Sequence, residues 1–176
     1  MNRKGAYKIA YMGLLFALSV ALSFLESMIP TTGILPPGVK LGLSNVVTMY
    51  MLFFVGIGPA FTLAILKSLF VFLIRGFTAF VMSFSGGILS VVVMIIVYHF
   101  LKKKSSYFTL SIFGAVFHNI GQLLSAVLIL SNAKVLWYFP ILFVSGVVMG
   151  ILTALVLKAV LPAINKAIKT DIKKEE

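Results

Sequence analysis

The sequence predicts an all-α integral membrane protein, a compact bundle of six transmembrane helices with both termini on the cytoplasmic side. Three observations lead there. The chain is 61% hydrophobic and only 11% charged, apolar runs of membrane-crossing length recur along it, and its cationic clusters are separated by even numbers of those runs. A mean hydropathy of +1.13 lies far above that of a water-soluble domain, where about a quarter of residues are charged. Crossing a hydrocarbon core of roughly 30 Å takes about 20 helical residues at about 1.5 Å each. Runs such as VVVMIIVYHFL and LLSAVLIL are apolar on consecutive positions, whereas barrel strands alternate, so helix is the spanning element.

The first span covers about 8–29 and is read as a retained helix, because no small-residue cleavage site follows it. Pro30 ends it. Pro36, Pro37 and Gly38 make PTTGILPPGVK a stiff, turn-rich loop. The second and third spans, about 41–57 and 59–75, are divided at Pro59, which suits the first turn of a new helix. The remaining spans fall at about 78–101, 107–131 and 134–161, and residues 162–176 form a basic cytoplasmic tail. The tail is either an amphipathic extension on the anionic inner leaflet or a solvated positive-inside segment.

Charge fixes the orientation, since Lys and Arg accumulate in short cytoplasmic loops. Arg3, Lys4 and Lys8 precede the first span, Lys102, Lys103 and Lys104 follow the fourth, and Lys158, Lys166, Lys169, Lys173 and Lys174 close the chain. Lys40, Arg75 and Lys134 remain for the outer face. The same parity survives if the second and third spans form a re-entrant hairpin. The net charge of +11 is thus a topology signal and not a nucleic-acid footprint.

Candidate functional residues are the small and the polar ones, because membrane helices associate by close backbone approach and polar groups at depth face a cavity or a partner. Gly13, Ala17 and Ala21 form a smooth ridge on the first span, either a docking face for another membrane protein or ordinary packing. Gly146, Gly150 and Ala154 form a second, read as packing. Lys67 and Arg75 lie roughly 80° apart on the third span and can face one interior sector. GAVFHNIGQLLS places His118, Asn119, Gln122 and Ser125 along one broad face of the fifth span. With Lys40 and Asn45 arriving from the preceding loop and the second span, these groups predict an outward-facing, donor-rich pocket. It would suit an anionic or carbonyl-rich, partly apolar small molecule. Interhelical hydrogen bonding is the competing reading for the same residues. Glu26 is read as an interfacial ion pair or a solvated helix end, and His99 as a snorkelling interfacial group. The run SFSGG, Ser83 to Gly87, either loosens the fourth helix beside the pocket or packs it closely.

Several chemistries are excluded by composition. Without cysteine there are no disulfides, zinc thiolates or iron–sulfur clusters, and no cofactor or metal site is expected. No GxxxxGK[ST] phosphate loop is present, so the chain is not itself an ATP motor of that type. Asp171 is the only aspartate and Glu26 the only acid outside the tail. A prenyl diphosphate synthase needs carboxylate clusters to hold magnesium against a diphosphate, so no enzyme of that kind can be built here.

The segments VKLGLSNVVTMYML, FSGGILSVVVM and GAVFHNIGQLLSAVLIL resemble the bacterial membrane family called Gx transporters, often labelled heptaprenyl diphosphate synthase component I. That family is similar to the substrate-binding S components of energy-coupling factor (ECF) importers. The resemblance implies a plasma-membrane protein that captures a vitamin, micronutrient or quinone or isoprenoid precursor from outside. It also implies a transmembrane coupling subunit and two cytosolic ATPases as partners, with delivery by toppling in the bilayer. The small-xxx-small face of such proteins meets the coupling subunit, and Gly13, Ala17 and Ala21 match it with glycine in the first place. An alternative is a non-catalytic membrane subunit that recruits a prenyl diphosphate or quinone biosynthesis enzyme.

Overall fold

The computed structural model describes residues 3–28, 44–101 and 106–172, and every regular element among them is helical. In chain order these are α1 (Arg3–Ser27), α2 (Asn45–Tyr50) with a π-helical turn at Met51–Val55, and α3 (Ile57–Leu101). They are followed by α4 (Tyr107–Leu130), a 3₁₀ turn at Ala133–Tyr138, and α5 (Phe139–Ile172). Lys40, the turn-rich loop around Pro36 and the Lys102–Lys104 cluster lie outside the described residues. Four stretches are long and apolar enough to cross a membrane: Ile9–Glu26, Ile57–Leu101, Tyr107–Leu130 and Ala133–Ala159.

The second of these is not one straight rod. At 45 residues a straight helix would run to about 68 Å, more than twice the hydrocarbon thickness. Gly76 interrupts it with φ 80 and ψ −176, a conformation that only glycine adopts without strain. The chain doubles back there. A Cβ placed on Gly87 would lie 3.6 Å from the Cβ of Ala64, and the Phe72 and Phe80 rings meet edge to face at 5.8 Å. Residues 57–75 and 77–101 are therefore antiparallel arms of a helical hairpin, matching the third and fourth expected segments.

Of the second expected span, about 41–57, residues 44–57 are described. Helix begins only at Asn45 and ends at Gly56, whose amide bonds back to the Met51 carbonyl at 2.8 Å. The apolar run extends further than the helix because its last turn widens into a π turn. Asn45–Val55 is consequently too short to count as a crossing. Phe53, within the π turn, packs edge-on against Tyr98 and Tyr107, tying this end of α2 to the second arm of α3 and the start of α4.

Glycines set the closest contacts. A Cβ on Gly121 of α4 would come within 2.8 Å of the Gly86 Cα in α3, and one on Gly150 of α5 within 2.5 Å of the Ile112 Cα in α4. The SFSGG run is thus a packing surface in an unbroken stretch of helix; the backbone departure lies seven residues before its start, at Gly76. The Gly146, Gly150 and Ala154 ridge is likewise internal, with Ala154 fully buried. The core proper joins all five helices through Leu15, Met49, Leu63, Val91, Leu110 and Leu157. The exterior is apolar as well, with Leu73, Phe100, Leu128 and Trp137 among the most exposed side chains. An apolar rim of this kind suits lipid and not water.

Gly76→Ala should destabilise the fold by about 1–3 kcal/mol, because a Cβ is strained at this φ/ψ whatever space surrounds it. Thermal unfolding in detergent should show the loss, with Gly13→Ala as the control: Gly13 is helical and a Cβ there meets nothing within 4 Å. An unchanged transition for Gly76→Ala would mean the hairpin bend does not need glycine.

Candidate functional site

The polar interior begins where α2 and α3 diverge from Gly56. Asn45 and Lys67 lie equally far from that turn in sequence, so a hairpin folded there brings them side by side. The Lys67 ammonium donates to the Ser44 hydroxyl and to Oδ1 of Asn45, both at 3.1 Å. Lys67 is 2% exposed. A buried ammonium is tolerable only when its donors are satisfied, and these two oxygens supply part of that requirement.

On α4 the predicted polar face divides between two neighbours. His118 and Gln122, one turn apart, bond through their Nε2 atoms at 2.9 Å. An amide nitrogen only donates, so the imidazole Nε2 accepts and its proton sits on Nδ1. Both residues pack against α3 at Gly86, where a Cβ would lie 2.8 Å from the His118 carbonyl oxygen and 2.9 Å from Cγ of Gln122. Nearby, the Ser85 hydroxyl bonds the Gly121 carbonyl at 3.0 Å and also meets the Ser125 hydroxyl. Asn119 turns the other way. Its Nδ2 donates to the Leu142 carbonyl at 2.8 Å and to the Ser145 hydroxyl at 3.3 Å, joining α4 to α5.

Of the predicted pocket residues, the structure brings Lys67 to Asn45 and His118 to Gln122, and commits Asn119 to helix joining. Arg75 is a correction. It is exposed, within the stretch 72–78 that is exposed throughout around the Gly76 bend, so it does not share the buried interior sector that Lys67 occupies. Glu26, read as an interfacial ion pair or a solvated end, is 3% exposed, which removes the solvated alternative. It belongs to an inward stripe of α1 with Leu15, Ser19 and Ser23, all buried. His99 is exposed at the end of α3, as its interfacial reading requires.

Gly13, Ala17 and Ala21 lie on the opposite side of α1 from that stripe and are exposed. Beside Gly13 runs an apolar groove of about 260 Å³ between α1 and the first arm of α3, lined by Met12, Phe16, Thr62, Leu63 and Leu66. Sequence reasoning missed the buried hydroxyls Ser44, Ser90 and Ser111. Isolated serines in apolar helices usually bond their own backbone one turn back, so only tertiary contact distinguishes them.

These features define a multi-pass, all-helical membrane protein with an apolar exterior and a polar interior. The model of the family described as heptaprenyl diphosphate synthase component I matches residues 15–160, and the chain belongs to that family. No curated protein and no solved structure matches it.

Asn119→Ala should lower stability by about 0.5–2 kcal/mol, since it removes the two bonds that α4 makes to the Leu142 carbonyl and the Ser145 hydroxyl of α5. Chemical or thermal unfolding should detect this, while Gln122→Ala, whose side chain stays on its own helix and beside Gly86, should cost less. The reverse order would mean that His118 and Gln122, and not Asn119, hold the helices together.

Proposed function

We propose that this protein is the substrate-capture subunit of an ECF-type importer in the bacterial plasma membrane. The observation that carries the reading is the division of α1 into two faces. Its polar stripe is used inside the bundle, while Gly13, Ala17 and Ala21 remain exposed, although glycine and alanine ridges elsewhere in the chain are consumed by internal packing. A smooth ridge left outside permits close approach by a helix of another subunit. The two arms of α3 are compatible with a six-crossing reading whose second span, about 41–57, begins outside the described residues, and the cationic clusters then favour cytoplasmic termini.

In this reading Lys67, Asn45, His118 and Gln122 supply the polar end of the cargo site, Lys40 and Arg75 are further cationic candidates for the cargo's anionic group, and Asn119 supports the helix beneath. The cargo is a small, partly apolar molecule carrying an anionic or carbonyl group, such as a vitamin or a quinone or isoprenoid precursor. A transmembrane coupling subunit receives the loaded protein on the α1 ridge, and two cytosolic ATPases drive delivery as it topples in the membrane. The chain itself catalyses nothing; four acidic residues in total, three of them at the C-terminal end, leave no carboxylate cluster for diphosphate chemistry.

The family description favours a second reading, a non-catalytic membrane subunit that recruits a prenyl diphosphate or quinone biosynthesis enzyme. The α1 ridge separates the two. Ala17→Leu should leave the melting temperature unchanged, because Ala17 is exposed, while abolishing co-purification of the coupling subunit and its ATPases. Retention of those subunits by both Ala17→Leu and Ala21→Leu would remove the ridge from the account, and capture of a soluble synthase in their place would favour the second reading.

Gln122→Ala should weaken binding of whatever small molecule co-purifies by about five- to a hundred-fold, corresponding to about 1–3 kcal/mol for a cargo group left unpaired in a low-dielectric site. Equilibrium binding to the purified variant measures this. Full affinity in Gln122→Ala would place the cargo elsewhere.

A further inference from the structure

We propose that Asn45, Ser90 and Ser111 form a binding site for a single water molecule at the junction of α2, α3 and α4. A space of about 10 Å³, lined by these three residues together with Met49, Met94 and Thr153, lies between the helices. All six are at least nine-tenths buried. Among the described residues, Nδ2 of Asn45 and the hydroxyls of Ser90 and Ser111 have no hydrogen-bond partner, and all three residues face this one space. Three orphaned polar atoms at a single point, from three helices, are not the pattern of independent packing defects. Each would cost its desolvation without compensation, and a buried water with three partners relieves them together.

The size and donor set identify the ligand. About 10–15 Å³ is what one water centre requires, and no organic molecule fits. A metal cation is disfavoured because Oδ1 of Asn45 already accepts from the Lys67 ammonium, which leaves the amide's donor side toward the site. Water answers this arrangement: its oxygen accepts from Nδ2 of Asn45, and either its two protons, or one proton and the remaining lone pair, serve the two serine hydroxyls. The hydrogen-bonded path then runs from Lys67 through Asn45 and the water to Ser90 on the second arm of α3 and Ser111 on α4. Asn45 is thereby held from both ends of its amide, which fixes the start of α2. This site stands on its own geometry and does not depend on the transport reading.

The test uses the full-length protein and has two independent readouts. Ser90→Ala and Ser111→Ala each take one partner from the water, so each should lower the melting temperature by about 2–4 °C. If the hydroxyls instead lie in a dry cavity, deleting an orphaned polar group removes its desolvation penalty, and the melting temperature should stay level or rise. Either of those outcomes overturns the proposal. An experimental structure of the unaltered protein, determined with bromide in the buffer, supplies the second readout. A non-anomalous peak within about 2.7–3.2 Å of Nδ2 of Asn45 and both hydroxyls is expected. An anomalous bromide peak there would assign a halide site in place of water, and featureless density would also contradict it.

Discussion

The approach of α3 to α4 at Gly86 and Gly121 is the contact on which the rest of the bundle depends. In hydrocarbon there is little hydrophobic drive to bring helices together, so association rests on close van der Waals packing and interhelical hydrogen bonds. A Cβ on either glycine would collide with the facing backbone, so any larger residue would push the two helices apart. Their proximity allows Ser85 to reach the Gly121 carbonyl and sets His118 and Gln122 against a glycine surface. It also defines one wall of the space that Ser90 and Ser111 share. Gly146 and Gly150 repeat the device between α4 and α5, where Asn119 adds its bonds to α5. α4 is therefore the central post, and its polar groups are sorted by which neighbour each one meets.

α1 follows a different rule. It has no comparably tight glycine contact in the described bundle, and its small residues face outward while its serines and Glu26 face inward. A helix so divided joins the core through polar and aliphatic contacts and keeps its closest-packing surface free. In the proposed reading, stability and association fall on opposite faces of one element, so a bulky residue at position 17 would bear on association and not on the core.

Much of this was legible in the sequence because apolar length and glycine spacing are local properties. Apolar length alone marks Ile9–Glu26, Tyr107–Leu130 and Ala133–Ala159 as long enough to cross a membrane, and the break at Gly76 divides the longer α3. The role of SFSGG was not decidable, since the same glycines can loosen a helix or pack it, and only the facing Gly121 settles the matter. The described part of the second span is a short helix closed by a π turn at Gly56, a turn type that hydropathy does not reveal. Lys67 with Asn45, and His118 with Gln122, were legible as intramembrane polar groups. Arg75 was misjudged because helical phase gives a direction but not how far along the arm the bundle covers it, and residues 72–78 are all exposed. The water site was not legible at all, as it depends on three elements meeting at one point.

The account's central claim is that the polar interior exists to hold a cargo molecule and not merely to join helices. Native mass spectrometry of gently purified protein, released from detergent under mild activation, tests this most directly. The account predicts a mass above that of the 19.2 kDa chain by one small organic molecule, lost on harsher activation and depleted in Gln122→Ala. A bare chain under all gentle conditions, or the same adduct undiminished in that variant, would contradict it.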